Sequence, residues 1–311
     1  MKGTSAGRMD ETMTFLELSI EDREKYIRDR YRDKCRFSGK GAAAVKKVTD
    51  VRNNTRANPE KLVAAEGIWE AGLLLKYGIR IKSVFIHAGG VKSPEAFRLV
   101  MALADKAEEI HIVSESTFDK MAELGTSAGI LALAAFPVRK LSELDPEKHR
   151  MLIVLDGLEI PGNIGTIIRS CDGTDTDAVI ICNRKTRVSH PKMIRSSQGS
   201  CFKVPIIEAE SEEVISWLSG NGYRIILTDT RSSHYYFEED YSGKVAVVMG
   251  SERYGISDGW YGGDVDKISI PMYGDCDSLN VGIAATIILY EAAIKRKKIL
   301  PESGNRVLQN P

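Results

Sequence analysis

The chain has 311 residues, in which 43 lysine and arginine residues balance 43 aspartate and glutamate residues. This length predicts two domains with a real hydrophobic core, and the balanced charge excludes any conclusion about partners from net charge alone. The five cysteines form no Cys-x-x-Cys pair, so we expect neither a metal site nor a disulfide framework. No apolar run reaches the roughly 18 residues of a membrane-spanning helix, and we see no apolar N-terminal leader. We therefore expect a cytoplasmic protein without membrane contact.

Basic residues concentrate in two segments of the chain. Residues 23–56 hold 12 basic residues against 4 acidic ones, and residues 183–207 hold 6 basic residues and no acidic one. Such asymmetry indicates binding to a polyanion such as RNA, with a merely solvated charged face as the alternative. The basic residues that we expect at an RNA surface are Arg52, Arg56, Arg184, Lys185 and Arg187.

The amino-terminal half predicts a basic extension over residues 1–45 and a small α/β domain over residues 46–136. A capping box at Ser19 opens a charged helix in the extension. In the domain we expect helices at 58–78, 94–107 and 116–124, and strands at 81–87, 110–113 and 130–136. Alternation of this kind is typical of a layered α/β domain. The segment 125–129 reads as a tight turn or a close approach to RNA, and residues 137–150 as a linker.

The carboxy-terminal half predicts a second α/β domain over residues 151–300, followed by a loose tail at 301–311. We expect strands at 151–157, 178–182, 202–207, 223–228, 245–249 and 267–271, and helices near 163–172, 190–198, 210–220 and 279–298. The strand at 245–249 is wholly apolar, as in parallel sheets that are covered on both faces. The fold class is therefore α/β with an open parallel sheet.

The first of three strand-end motifs is Asn163-x-Gly-x-x-x-Arg169, which follows the strand Met-Leu-Ile-Val-Leu-Asp-Gly. The glycines flanking Asn163 would let backbone and ligand come close. The segment lacks the Gly-Lys-Ser/Thr of a phosphate loop, and no strand is followed by Gly-x-Gly-x-x-Gly. The first absence argues against a nucleotide triphosphate site, and the second removes the best support for a dinucleotide site. A nicotinamide-dependent oxidoreductase is therefore not expected.

The second motif is Met249-Gly-Ser-Glu252-x-x-Gly-Ile-Ser, which follows the apolar strand at 245–249. Ligands of open α/β sheets bind outside the carboxyl ends of the strands, where this loop must lie. Glu252 could cap backbone N–H groups or act on a substrate, and the pattern leaves both roles open.

The third motif, at 268–290, runs from a strand ended by Pro271 through a polar loop into an apolar helix. Ser278 and Asn280 stand where helix N-caps are favoured, so they are caps or site residues. A helix that is apolar nearly all round belongs in a core or against another subunit. Together the three loops predict a pocket with few charges, which suits a neutral or cationic adenosyl ligand better than a triphosphate.

In order and spacing, these motifs resemble those of the SpoU/TrmH-type RNA ribose methyltransferases of the SPOUT superfamily, including the thiostrepton-resistance type. The resemblance covers residues 151–298, and residues 57–136 more weakly resemble the small RNA-binding domain of many members. It implies S-adenosylmethionine-dependent methylation of a ribose 2′-hydroxyl, with ribosomal RNA favoured over transfer RNA. It further implies a deep trefoil knot and a homodimer in which Arg169 reaches a site completed by the second subunit. The alternative is a non-catalytic RNA-binding or ribosome-assembly protein on the same fold.

The resemblance also assigns roles to individual residues. The catalytic set that it implies is Arg169, Asn163, Glu252, Ser278 and Asn280. The cofactor set is Thr228, Asp229, Met249, Gly250, Ser251, Ile270, Met272, Ser278 and Leu279. Arg195 and Ser197 match a stretch that contacts RNA or shapes the wall of the site.

Arg169 is the residue that the family credits with activating the hydroxyl. Its guanidinium is an awkward general base, because the pKa of arginine exceeds about 12. Either Arg169 becomes less basic in the assembled site, or it binds the adjacent phosphate and stabilises the developing alkoxide while water takes the proton.

Overall fold

The computed structural model describes residues 5–123 and 128–298, with side chains from residue 11 onward. The chain divides after Phe136 into two compact units. The predicted tail at 301–311 and residues 125–127 of the predicted turn lie outside the described residues.

The first unit is built from helices and strands that alternate along the chain. Its helices are α1 (Ser5–Glu17), α2 (Ile20–Arg30), α3 (Ala43–Asn53), α4 (Gly67–Lys76), α5 (Pro94–Lys106) and α6 (Glu115–Met121). Its strands are β1 (Cys35–Phe37), β2 (Leu62–Glu66), β3 (Ile81–Ile86), β4 (Glu109–Ile112) and β5 (Ile130–Ala135). These strands form one sheet in the order β1-β4-β3-β5-β2, parallel over β1, β4 and β3 and antiparallel from β3 to β2.

The helix predicted at 58–78 is wrong in its first half, which forms strand β2. Leu62 pairs with Ala135 in the antiparallel ladder to β5, so burial in the sheet overrides the local helix signal. Asn58, the first residue of that predicted helix, instead bonds both the N–H and the C=O of Leu62 at 2.9 and 2.8 Å. Gly67 then takes a φ of 76°, which separates the strand from helix α4.

Two segments predicted to lie outside the domains contribute to the sheets. In the predicted extension, Cys35–Phe37 pairs in parallel with β4. In the predicted linker, Val138–Arg139 pairs with a strand of the second unit. We did not predict helix α3, although Val45, Val48 and Val51 recur at helical spacing and are its buried face.

The second unit contains the three motifs. Its strands are β6 (Val138–Arg139), β7 (Met151–Asp156), β8 (Ala178–Cys182), β9 (Ile206–Glu208), β10 (Arg224–Thr228), β11 (Val245–Gly250) and β12 (Val265–Ile268). Its helices are α7 (Pro161–Thr174), α8 (Pro191–Ser197), α9 (Ser211–Gly220) and α10 (Val281–Lys297). The predicted strand at 202–207 begins later, and the one at 267–271 ends at Ile268.

The strands of the second unit form one parallel sheet in the order β12-β10-β11-β7-β8-β9-β6. Alternate residues of β7, such as Leu152 and Val154, pack with Val214 and Leu218 of α9 in one core cluster. Helices α7 and α10 pack against each other, and α10 also contacts β11. The chain order reverses between β7 and β11, and such a switch point opens a crevice at the carboxyl ends of the strands.

None of the helices in the described part of the chain is long and apolar enough to cross a membrane.

Candidate active site at the carboxyl edge of the parallel sheet

A cavity of about 500 Å³ opens where β10, β11 and β12 end. Its volume lies within the range of about 300–1,000 Å³ that is typical of small-molecule sites. The structure brings all nine predicted cofactor residues to this one cavity, although they come from three separate loops. They are Thr228, Asp229, Met249, Gly250, Ser251, Ile270, Met272, Ser278 and Leu279.

The loop after β11 folds back tightly because Gly250 has no side chain. A Cβ atom at Gly250 would lie 2.3 Å from the carbonyl carbon of Gly255. Two backbone hydrogen bonds of 3.0 Å join Ser251 and Gly255 and close the loop. Gly255 takes a φ of 71°, a conformation that favours glycine. The loop that carries Glu252 is therefore held rigidly at the end of its strand.

The cavity wall carries more negative than positive side chains. Its carboxylates are Asp229, Glu252, Asp258 and Asp277, and its basic side chain is Arg231. Hydrogen bonds from Arg231 to the largely buried carboxylate lower the pKa of Asp229, so this group stays ionised at neutral pH. Such a wall favours a cationic ligand and disfavours a polyphosphate.

A chain of side-chain hydrogen bonds links the three motifs. Asn163 donates its amide N–H to the carboxylate of Glu252. The Oδ1 of Asn163 accepts a hydrogen bond of 3.2 Å from the amide of Asn280. The Oδ1 of Asn280 in turn accepts from the backbone N–H of Gly282 at 2.9 Å, as the N-cap of α10.

The helix cap fixes the direction of this chain. Because a backbone N–H can only donate, Asn280 must turn its oxygen toward Gly282 and its NH₂ group toward Asn163. Asn163 must then present its oxygen to Asn280, which leaves its NH₂ group for the carboxylate of Glu252. Glu252 therefore binds a neighbouring side chain, whereas the sequence left a choice between backbone capping and a substrate role. Asn280 is both the predicted cap and a member of the site.

Asn163, Glu252 and Asn280 form a hydrogen-bonded trio, and Ser278 and Arg169 differ from it in their surroundings. Ser278 lines the cavity and is exposed, and among the described residues its hydroxyl has no hydrogen-bond partner. Arg169 is exposed on α7, away from the cavity wall, and its guanidinium has no ion pair within the described part of the chain. Within a single chain, the structure therefore places Arg169 outside the hydrogen-bonded trio.

Sequence reasoning missed the role of Asp156, the last residue of β7. Its carboxylate is 1% exposed and accepts hydrogen bonds from the backbone N–H of Ser257 at 2.7 Å and from Asn183 at 2.6 Å. Asp156 thus ties the ends of β7 and β8 to the loop after β11. An acidic residue ending a buried strand was the signal available in the sequence.

The predicted RNA-contacting residues differ in their exposure to solvent. Four of the basic residues are exposed: Arg56, Arg184, Lys185 and Arg195. Of these, Arg184 pairs with Glu208 at 3.2 Å and Arg56 pairs with Asp50 at 3.4 Å, whereas Arg187 is half-buried.

Two predicted RNA contacts need correction. Ser197 is fully buried, because α8 packs closely on α7 at Gly165, and its hydroxyl donates to the carbonyl of Ile194 at 2.8 Å. The side chain of Arg52 is 10% exposed and forms an ion pair with the fully buried carboxylate of Glu66. Neither side chain presents a polar group to RNA in this conformation.

Within residues 5–123 and 128–298, no group of three or more His, Cys, Asp or Glu side chains is arranged to hold a metal ion.

Comparison with known proteins identifies the family of the second unit. Residues 150–290 match the model of the SpoU rRNA Methylase family. The second unit therefore carries a domain that is similar to the SpoU methylases. The match spans β7 to α10 and therefore includes the cavity and all three motifs.

Individual relatives agree with this match. The 23S rRNA (guanosine(2553)-2′-O)-methyltransferase RlmP of Bacillus subtilis is 29% identical over 182 residues, which are 58% of this chain and 71% of the relative. The 23S rRNA (uridine(2479)-2′-O)-methyltransferase of Streptomyces viridochromogenes is 34% identical over 173 residues, which are 54% of this chain and 60% of the relative. A crystal structure of an RNA 2′-O ribose methyltransferase, 28% identical, superposes with a TM-score of 0.68 over 86% of this chain and 100% of its own.

Proposed function

We propose that the protein transfers a methyl group from S-adenosylmethionine to a ribose 2′-hydroxyl of structured RNA, with ribosomal RNA as the substrate. The observation that carries this proposal is that the second and third motifs line one cavity at the carboxyl edge of the sheet, and that the first motif joins them through the hydrogen bond from Asn163 to Glu252. The named activities of the two ribosomal RNA relatives support the choice of RNA.

The cavity fits the proposed cofactor in size and in charge. We assign the adenosyl group to the ends of β11 and β12 and the loop before α10, around Gly250, Ile270 and Leu279. The excess of carboxylates on the wall favours a positively charged sulfonium. When bound, S-adenosylmethionine supplies the methyl group already activated on that sulfur, so the protein has to position the acceptor and assist the loss of its proton.

In this proposal the trio holds one fixed hydrogen-bonding surface beside the cavity. Asn163, oriented by Asn280 and Glu252, positions the acceptor ribose. The oxygen of the hydroxyl forms a bond to the methyl carbon, the carbon–sulfur bond breaks, and the hydroxyl proton passes to water. Holding two reactants in attack geometry can supply roughly 7–11 kcal/mol of the barrier.

We assign Arg169 a cationic role at the phosphate next to the acceptor ribose. A guanidinium stays protonated at neutral pH and binds phosphate in a fork, so it can stabilise the alkoxide as the proton leaves. Arg169 is exposed and has no ion pair among the described residues, so its guanidinium is open to bind a phosphate of the RNA.

We further propose that two copies associate through α10, and that the deep trefoil knot of the family is present. Ile283 and Tyr290 are 53% and 48% exposed, and they share a face of α10 with the partly exposed Ile287. A second copy would cover this apolar stripe. The hydroxyl of Tyr290 lies over Gly173, one helical turn beyond Arg169, so a partner on this surface would reach Arg169.

The dimer is tested by light scattering of Ile283→Glu. We expect a monomer with much reduced activity, because a charge replaces an apolar contact at the interface. Ile160→Glu is the matched control, since Ile160 is 50% exposed but lies outside α10. A dimeric Ile283→Glu protein would contradict the assigned surface.

The activity is tested with full-length protein, ribosomal RNA and S-adenosylmethionine labelled in its methyl group. We expect transfer to yield nucleotides that resist alkaline cleavage, because the methylated 2′-oxygen can no longer attack the phosphate. Arg169→Ala should abolish transfer while cofactor affinity by calorimetry changes little. Arg139→Ala, an exposed arginine on the edge strand β6, is the control.

Two outcomes would contradict the proposal. Failure of the wild-type protein to bind S-adenosylmethionine would exclude the enzyme, and full activity of Arg169→Ala would remove its assigned role. Mapping of 2′-O-methylation in cellular RNA with and without the gene would then identify the nucleotide.

A further inference from the structure

The segment that precedes the small domain forms a fixed platform at one edge of its sheet. Strand β1 pairs with β4, with Cys35 opposite Ile110 and Phe37 opposite Ile112. At the end of α2, the Tyr31 hydroxyl donates to the carboxylate of Asp105 on α5 at 2.7 Å. These contacts hold α2 and β1 in place, so their surface residues keep a defined arrangement.

Phe37 is an exposed aromatic side chain on this platform. It is 55% exposed, and its ring centroid lies 5.6 Å from the guanidinium carbon of Arg28 on α2. Since β1 is the edge strand, no further strand of the described sheet covers this side of it. A phenyl ring with a cation beside it and solvent around it is a surface that a planar ligand can occupy.

The basic residues around Phe37 differ in whether they already have partners. Arg30 pairs with Glu11 at 2.7 Å, and Arg36 pairs with Glu109 at 2.9 Å. In contrast, three exposed basic residues have no ion pair among the described residues: Lys25, Arg28 and Lys40.

These three cations flank Phe37 in the sequence. Lys25 is three residues before Arg28 and therefore shares its face of α2. Lys40 is exposed three residues after Phe37, between Gly39 and Gly41, which have open space around them. Glu24, one turn before Arg28, is close enough to attract it without forming an ion pair within 4.0 Å.

From this juxtaposition we propose that Lys25, Arg28, Phe37 and Lys40 form a binding site for single-stranded RNA, separate from the methyl-transfer site. An unpaired base stacks on Phe37, and the phosphates on either side of that base bind the three cations. This inference rests on the proposed function for its choice of RNA. An acidic peptide would use the cations but not the ring, whereas an RNA strand uses both. Double-stranded RNA would not use the ring, because its bases are already stacked on one another.

The test measures binding of a fluorescein-labelled oligouridylate of about 12 nucleotides to the full-length protein. Phe37→Ala and Phe37→Leu should each weaken binding about tenfold, because both remove the stacking ring while leucine keeps the apolar volume. Arg28→Ala should weaken binding and lower the slope of log affinity against log salt by about one. Arg28→Lys should restore the salt slope but only part of the affinity.

Trp69 provides the matched control. It is also 55% exposed in the same unit, and among the described residues no cation lies over its ring. Trp69→Ala should leave oligouridylate binding unchanged, and Phe37→Ala should leave the affinity for S-adenosylmethionine unchanged. Binding of an RNA duplex of equal length should be insensitive to Phe37→Ala.

Wild-type affinity of Phe37→Ala and Phe37→Leu for oligouridylate would overturn the proposal. An equal loss in Trp69→Ala would also overturn it, because the effect would then belong to any exposed aromatic residue. Failure of this inference is distinguishable from failure of the proposed function. A protein whose RNA binding depends on Phe37 but which transfers no methyl group would refute the proposed function alone.

Discussion

Asn280→Asp separates the two roles that the structure gives to Asn280. Aspartate caps a helix N-terminus about as well as asparagine, so the bond to the N–H of Gly282 should survive and the free energy of unfolding should change by less than about 0.5 kcal/mol. The new carboxylate has no N–H to donate to Asn163. The NH₂ group of Asn163 can then face only one of the two carboxylates, so its oxygen lies against the other one and Asn163 loses either the bond to Glu252 or the bond to residue 280.

The size of the effect follows from the loss of one of these two bonds. A hydrogen bond to a charged group contributes about 1.5–3 kcal/mol, and exposure of this trio to solvent reduces that to about 1–2 kcal/mol. If Asn163 positions the acceptor, single-turnover methyl transfer should slow about five- to thirtyfold. The assay is transfer of labelled methyl to ribosomal RNA, with thermal unfolding and cofactor titration measured in parallel.

Two results would refute this reasoning about the trio. One is wild-type transfer by Asn280→Asp, and the other is a loss of stability above about 2 kcal/mol, which would mean that the cap was not preserved. Addition of Glu252→Gln provides a further check, because a glutamine amide can donate to the reversed oxygen of Asn163. The double variant should transfer methyl faster than Asn280→Asp alone.

Two further predictions concern the cavity loops and the thiols. In Gly250→Ala, the new Cβ would lie about 1.1 Å inside the ordinary 3.4 Å contact with the backbone of Gly255, so the loop must shift; we expect a loss of about 1–3 kcal/mol in the free energy of unfolding and weaker cofactor binding. Gly259→Ala has open space at its Cβ and should change neither, and equal behaviour of the two variants would contradict the close-packing argument. In native protein, a thiol reagent such as DTNB should react fastest with the exposed Cys276, whereas burial raises the pKa of the Cys171 thiol and shields it. A fast phase that persists in Cys276→Ser would show that another thiol is accessible.

Much of the parallel sheet and of the cofactor cavity could be predicted from the sequence. Buried parallel strands such as Val245–Gly250 are continuous apolar runs, and ligands bind at their carboxyl ends, so the motifs that follow those strands mark the site. The residues flanking the cavity, such as Gly250 and Leu279, follow from this local pattern together with the family resemblance.

The sequence did not determine contacts between residues that are far apart in the chain. Asn163 lies 89 residues from Glu252 and 117 residues from Asn280, so the direction of their hydrogen bonds exists only once α7, α10 and β11 have packed. For the same reason, the sequence could not distinguish an RNA-facing Ser197 from one buried under α7.

Tertiary pairing also determined the secondary structure of segments whose local sequence pattern was ambiguous. Leu62–Glu66 has a helix-start signal before it, but pairing with β5 makes it a strand. Cys35–Phe37 looked like part of a basic extension, yet the free edge of β4 takes it into the sheet and leaves Phe37 exposed beside Arg28. The sequence by itself determined the strand-end motifs and the charge pattern, because these are local. The structure alone decided which side chains meet and which remain open to solvent, because long-range packing decides burial.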